Sequence, residues 1–186
     1  MSAQPQLAGT WTIDPAHSRI GFSSRHAMVT KVRGAFNDVE GTAVLDPEDM
    51  ARSRVRVVLR VESVDTRNPQ RDEHLRSADF FDAASHPTIE FASSAVDEID
   101  ENQFIVTGDL SIRGITRSIS VPLEMTGMDA DHLGLLRFGL EGSRRIDRKD
   151  WGVSWNTPLD SGGVLVSDKI TLEFELSLVK DAEQPS

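Results

Sequence analysis

The chain has 186 residues, a net charge of −10 and no cysteine. That length suits one domain able to bury a core of its own. The missing cysteines exclude disulfides, thiol catalysis and thiolate metal sites, while the acidity works against nucleic acid and against peripheral contact with anionic membranes. Hydrophobic residues make up 38% and aromatic ones 6%, with eight Phe, three Trp and no Tyr, so the core is built mainly from Val, Ile and Leu.

In chain order, strands are expected over residues 11–14 and 19–24, then over 32–45 as two strands or one bent strand. A helical turn is expected at 47–50. Val55, Val57, Leu59 and Val61 then alternate with Arg54, Arg56 and Arg60, the period-two pattern of a strand with one dry face. Residues 68–82 are not strand-like and predict a short helix that caps one end of a sheet. A strand follows over 88–93. Phe104, Val106, Leu110 and Ile112 alternate with polar neighbours, as do Ile119, Val121, Leu123 and Met125. Pro122 cannot donate a ladder hydrogen bond and marks an edge or a bulge. A strand over 135–142 and the clear alternation of Ile170, Leu172, Phe174, Leu176 and Leu178 complete the set. Turn chemistry punctuates it at Asp14-Pro15, Asp46-Pro47, Gly127, Gly134 and Gly162-Gly163. The chain is read as one domain, ordered over about 9–179, with loose tails at 1–8 and 181–186.

About eight to ten strands with one-faced alternation argue an all-β antiparallel fold. Closing such a sheet into a barrel removes its edges, and an eight-stranded barrel is either filled by side chains or holds one small ligand. A two-sheet sandwich gives the same alternation. Nothing resembles a signal peptide between Met1 and Gly9, and no stretch is long and apolar enough to span a membrane, so the chain is read as soluble and cytoplasmic without stable membrane insertion. A homodimer, packing through faces or loops, is open.

No phosphate-binding loop, dinucleotide fingerprint, nucleophile elbow or zinc-protease motif is present. The histidines are His17, His26, His74, His86 and His132. A metal or acid–base site from His17, His26, Asp72 and His74 is one alternative, and a hydrolase set of Ser18, His26 and Asp72 another; neither has supporting spacing. Arg71, Asp72, His74 and Arg76 form the densest polar cluster, read as a capped helix or as a polar lid over a ligand's head group. Arg144, Arg145, Arg148 and Lys149 reverse the local charge, as an anion site or as a solvated strand edge. Trp11, Trp151 and Trp155 suit core and barrel-end packing, with a gate at a pocket mouth as the alternative.

The chain resembles the YceI family of bacterial lipid-binding proteins over about residues 9–179. The matching segments run in order: Trp11-Thr12-Ile13-Asp14-Pro15-Ala16-His17-Ser18; Phe22 and Arg25-His26-Ala27-Met28; Gly34-Ala35-Phe36; Asp65-Thr66 and Arg71-Asp72-Glu73-His74-Leu75-Arg76-Ser77-Ala78-Asp79-Phe80-Phe81; His86-Pro87-Thr88-Ile89-Glu90-Phe91. The run Gly108 to Thr116 and Arg148-Lys149-Asp150-Trp151-Gly152 complete them, with Ser111 and Trp151 as departures from the usual Thr and Phe. The resemblance implies an extended eight-stranded antiparallel lipocalin-like β-barrel with a short helical insertion. It also implies non-catalytic binding, storage or transport of an isoprenoid-like or other long-chain amphiphile, with no cofactor and no metal. Many members are periplasmic with a signal peptide, and this chain shows none. On that reading the cavity is lined by Phe22, Val57, Leu59, Ile89, Phe91, Phe104, Leu110, Leu123, Phe138, Leu172 and Phe174. His17, Ser18, His26, Arg71, Asp72, His74 and Arg148 then meet the head group or shape the site. The remaining alternatives are an enzyme on the His/Asp cluster and a stress-response interaction module with a filled barrel.

Overall fold

The computed structural model describes residues 5–159 and 165–182. The expected Gly162-Gly163 turn, and tail residues 1–4 and 183–186, lie outside the described residues. The strands are β1 (Gly9–Ile13), β2 (Arg19–His26), β3 (Thr30–Phe36), β4 (Val39–Leu45), β5 (Arg54–Arg60), β6 (Val64–Asp65), β7 (Thr88–Asp100), β8 (Gln103–Ile112), β9 (Ile115–Ala130), β10 (Leu136–Asp147) and β11 (Lys169–Lys180), with one α-helix, α1 (Pro69–Arg76). The order β1-β4-β5-β7-β8-β9-β10-β11 returns to β1, because Trp11↔Lys180 and Ile13↔Leu178 close the ring. This is a closed antiparallel barrel of eight staves, and closure excludes the sandwich.

The remaining strands extend three of the staves. β11 pairs with β1 near its end and with β2 over residues 171–175, so β1 and β2 form one broken stave. β3 and β6 lie beyond β4 and β5 in the same way. The breaks fall at the 3-10 turn Pro15–His17, at residues 37–38 and at the 3-10 turn Val61–Ser63.

Alternation sets what each face sees. On β8, Phe104, Val106, Leu110 and Ile112 are buried, whereas Thr107, Asp109 and Ser111 face outward. β7 and β10 run further than expected, through polar stretches, because Val96 and Ile146 carry the inward row on and neighbouring strands supply the hydrogen bonds. Pro122 does mark an edge. Pairing of β9 with β8 passes through Ile105↔Pro122, while pairing with β10 stops at Glu124↔Glu141. A proline has no N–H to carry the second ladder onward. Beyond it the two strands part, after a last close approach at which the Pro122 carbonyl oxygen leaves no room for a Cβ on Gly142.

One barrel end is shut. Trp11 is 0% exposed, its ring meets Phe138 edge-on at 4.5 Å, and its Nε1–H donates to the Leu7 carbonyl at 2.8 Å. Leu7, expected in a loose tail, lies in a 3-10 turn (Pro5–Leu7) and is only 3% exposed. The correction has a simple cause: the indole needs a buried acceptor, and the tail provides it. At the other end Asn68 caps α1, accepting from Arg71 N–H at 3.1 Å, and Pro69 occupies the first helical position. The helical turn expected at 47–50 falls slightly later, at Met50–Arg52.

Asp14 fastens the β1–β2 bend. Its Oδ2 accepts from Arg137 Nη1 at 2.8 Å and lies 2.7 Å from His17 Nδ1, and Arg137 Nε donates to Asp131 at 2.8 Å. The Arg137 bond, then the His17 bond, lowers the Asp14 carboxyl from its ordinary 3.8 to about 2. A depressed folded-state value stabilises the fold above the unfolded value, and that contribution is lost as pH falls toward the folded one. In thermal melts at stepped pH, the gap between wild type and Asp14→Asn should therefore narrow from pH 3.8 down to about 2. A constant gap across that window would show that the carboxylate contributes no ionic stabilisation.

Candidate functional site

The barrel encloses a cavity of about 600 Å³. Phe22, Val57, Leu59, Ile89, Phe91, Phe104, Leu110, Leu123, Phe138, Leu172 and Phe174 all line it. Several of them, including Val57, Phe91, Leu172 and Phe174, are only half-buried. They pack against the core on one side and present the rest of their surface to the cavity. A filled barrel, required by the interaction-module alternative, is not what these side chains build.

The polar lining gathers at the α1 end, where Ser24, Arg25, His26, Asn68, Gln70, Arg71 and His74 contribute. Arg71 is held by Thr66: its Nε donates to Thr66 Oγ1 at 2.8 Å and its Nη2 to the Thr66 carbonyl at 2.7 Å. Asp72, the next residue of α1 and buried, accepts from both Thr66 N–H, at 2.8 Å, and Thr66 Oγ1. Thr66 is thus the hub that fixes both α1 residues. Arg71 Nη1 has no protein partner among the described residues, which leaves a preset donor beside the cavity. His74 Nε2 lies 2.8 Å from Asp79 Oδ2, and its ring stands edge-on to Trp155 at 4.6 Å and Phe80 at 4.9 Å. Phe22, Phe36 and Phe81 continue this aromatic collar. Trp151 and Trp155 therefore both border the cavity, Trp151 buried with its Nε1–H donating to the Leu110 carbonyl at 2.8 Å, whereas Trp11 is a packing residue.

Of the expected head-group residues, Asp72, His17 and Ser18 do not line the cavity, Asp72 because it is turned to Thr66. His17 lies on the outer bend against Asp14, and Ser18 Oγ accepts from Ser177 N–H at 2.9 Å; both tie the first strands to the barrel and neither lines the cavity. Arg148 borders the cavity but spends its donors on the backbone. Nε donates to Ser167 O at 2.9 Å, Nη1 to Val153 O at 2.7 Å and Trp155 O at 3.0 Å, and Nη2 to Val166 O at 3.4 Å. Burial pushes its pKa down, opposed by Asp168 and Asp147. It shapes the site by clamping segments 153–155 and 166–168 together.

The other chemical sets do not assemble. Among the described residues, no group of three His, Asp or Glu is placed to hold a metal. The basic run also disperses: Lys149 pairs with Asp168 at 3.2 Å, and Arg144 and Arg145 are exposed on the part of β10 that has lost β9. The cleft there is shared with Arg117 and Lys169 but equally with Asp147 and Asp150.

The family model of the YceI-like domain matches residues 11–178. The chain belongs to the YceI-like family. A relative from Photorhabdus laumondii, UPF0312 protein plu2095, is 34% identical over 153 residues, which is 81% of this chain and 79% of that protein. Among solved structures, BcnA of Burkholderia cenocepacia is similar at a TM-score of 0.77 and 25% identity, over 89% of this chain and 98% of that one. A polyisoprenoid binding domain from Saccharophagus degradans shares the fold at a TM-score of 0.71 and 15% identity, over 92% of this chain and 98% of its own. In this YceI-like chain the motif stretch from Asp65 to Phe81 therefore has a visible structural role: it presents Thr66, Arg71 and Asp72 as one bonded unit, with Phe80 and Phe81 in the collar beside it. Thr66 carries no signal of its own type; only its place in that stretch marks it.

Proposed function

We propose that this YceI-like chain binds and carries a long-chain isoprenoid-like lipid inside its barrel, as a binding protein and not as a catalyst. The observation that carries the reading is the cavity: about 600 Å³, mostly apolar along its length, shut by Trp11 and Phe138, with its charged and most of its polar lining at the α1 end. That volume falls within the roughly 300–1,000 Å³ usual for small-molecule sites. Each CH₂ moved from water into such a lining contributes roughly 0.8 kcal/mol, so a long tail needs few polar contacts. The Arg71 guanidinium, fixed by Thr66, suits an oxygen-rich head at the polar end. The polyisoprenoid description of the Saccharophagus fold neighbour supports the same ligand class.

The test is organic extraction of the purified protein with mass spectrometry, paired with uptake of a fluorescent isoprenoid. Bound lipid in the extract, or saturable uptake, is expected. Val106→Trp supplies the control, because Val106 points inward from β8 and the larger ring grows into open space. The variant should stay folded and lose about tenfold in affinity, the equivalent of roughly two buried CH₂ groups. A protein that yields no lipid and takes none up is not a lipid carrier.

A further inference from the structure

We propose that the β2–β3 hairpin is a membrane-docking tip that seats the polar end of the barrel on an anionic phospholipid surface. Residues 27–29 join the strands, with Val29 N–H bonded to the His26 carbonyl at 3.1 Å. Met28 and Val29 are 72% and 77% exposed at the tip, whereas apolar side chains elsewhere on the two strands pack inward. Ala27 and Met28 both stand at positive φ, 51° and 61°, in a turn that favours Gly, Asn or Asp. A long apolar side chain at such a position serves no packing inside the fold.

Charge singles out the same hairpin. Between Asp14 and Asp38 the chain carries Arg19, Arg25, Lys31 and Arg33 and no acidic residue, although its net charge is −10. Arg19 pairs with Glu173, but Arg25, Lys31 and Arg33 have no ion-pair partner among the described residues. The neighbouring helical segment, with Arg67, Arg71 and Arg76 against Asp72, Glu73, Asp79 and Asp82, is close to neutral. The opposite end is acidic: Asp46, Glu48 and Asp49 follow β4, Asp97, Glu98, Asp100 and Glu101 crowd the β7–β8 turn, and Asp129 and Asp131 the β9–β10 turn. The overall charge therefore repels an anionic surface on average, and its segregation selects one approach, hairpin first. An apolar tip flanked by cations fits a bilayer, whose acyl boundary lies under anionic heads, better than it fits a phosphate backbone. The tip is also continuous with Ser24, Arg25 and His26 of the cavity lining, so docking brings the polar end of the cavity against the lipid.

The experiment is flotation of the full chain with vesicles of phosphatidylcholine containing phosphatidylglycerol, and with pure phosphatidylcholine, without any cavity ligand. A failure of lipid uptake and a failure of docking are thereby read separately. Wild type should float with the anionic vesicles only. The double variants Met28→Asp with Val29→Asp, and Lys31→Glu with Arg33→Glu, should each lose at least about tenfold in partitioning. Leu133→Asp, an equally exposed residue at 72% on the acidic end, should change nothing. Circular dichroism confirms that each variant is folded. The proposal is overturned if wild type ignores both vesicles or binds both alike, or if either double variant floats like wild type. It is overturned equally if Lys31 and Arg33 prove to hold a polyuridine oligonucleotide while vesicles are ignored.

Discussion

Trp11→Ala should cost about 3–5 kcal/mol of unfolding free energy, the range for removing a large aromatic from a packed core. The native margin of a domain is only about 5–15 kcal/mol, so the effect is large. The loss has identifiable parts: the edge contact with Phe138, the seal against Leu7 and the hydrogen bond to the Leu7 carbonyl. Trp11→Phe keeps most of the area and forfeits the hydrogen bond, at about 0.5–1.5 kcal/mol. Urea unfolding reads both as shifts in midpoint at unchanged slope. If Trp11→Ala unfolded at the wild-type urea concentration, the closed end would owe nothing to the indole.

Arg148→Met should be comparably damaging, by about 3–5 kcal/mol, because it removes a buried charge and strands its acceptors. The carbonyls of Val153, Trp155, Val166 and Ser167 would lose one donor in common, and Asp168 Oδ1, buried with no hydrogen bond among the described residues, would lose the cation 3.8 Å away. A lysine offers a point charge and not a planar fork, so Arg148→Lys should not rescue. The failure should be local first. The backbone bonds from Ala27 N–H to Leu165 O and from Ser167 N–H to Arg25 O should open, and amide exchange at Ala27 and Ser167 should quicken well ahead of β8. Exchange that quickens equally at β8 would show that Arg148 holds the whole barrel and not this segment.

What the sequence discloses follows from which interactions are periodic. Phe104 to Ile112 and Ile170 to Leu178 announce their inner faces because successive strand residues alternate sides, and the same alternation places Val57, Phe91 and Phe174 around the cavity. Whether that inner face is filled or hollow is not periodic. It depends on how eight staves close, which is set by pairings such as Trp11↔Lys180 across almost the whole chain. Arg148 is opaque for a similar reason: in sequence it belongs to a basic run, and only the fold brings four carbonyls around it. Leu7 stands among polar residues with no pattern to mark it, until Trp11 requires an acceptor there. His17 and Ser18 lie in a motif that reads as a site, yet their bonds go to Asp14 and Ser177, so the motif there secures a bend.

The broken staves have a mechanical consequence. The interruptions after β1, β3 and β5 lie side by side, and each is a short turn stitched by bonds such as Asn37 N–H to Ser63 O and Arg60 N–H to Asp38 O. Together they form a crease across three neighbouring staves. The quarter beyond it, made of β2, β3, β6 and α1, is joined to the ring by a strand ladder on one side only, where β2 pairs with β11 from Glu175↔Arg19 to Thr171↔Ser23. The free edge of that quarter is β6, which pairs with β3 and with no strand on its far side among the described residues, so the wall of the vessel is seamed there and not at the end that Trp11 and Phe138 seal.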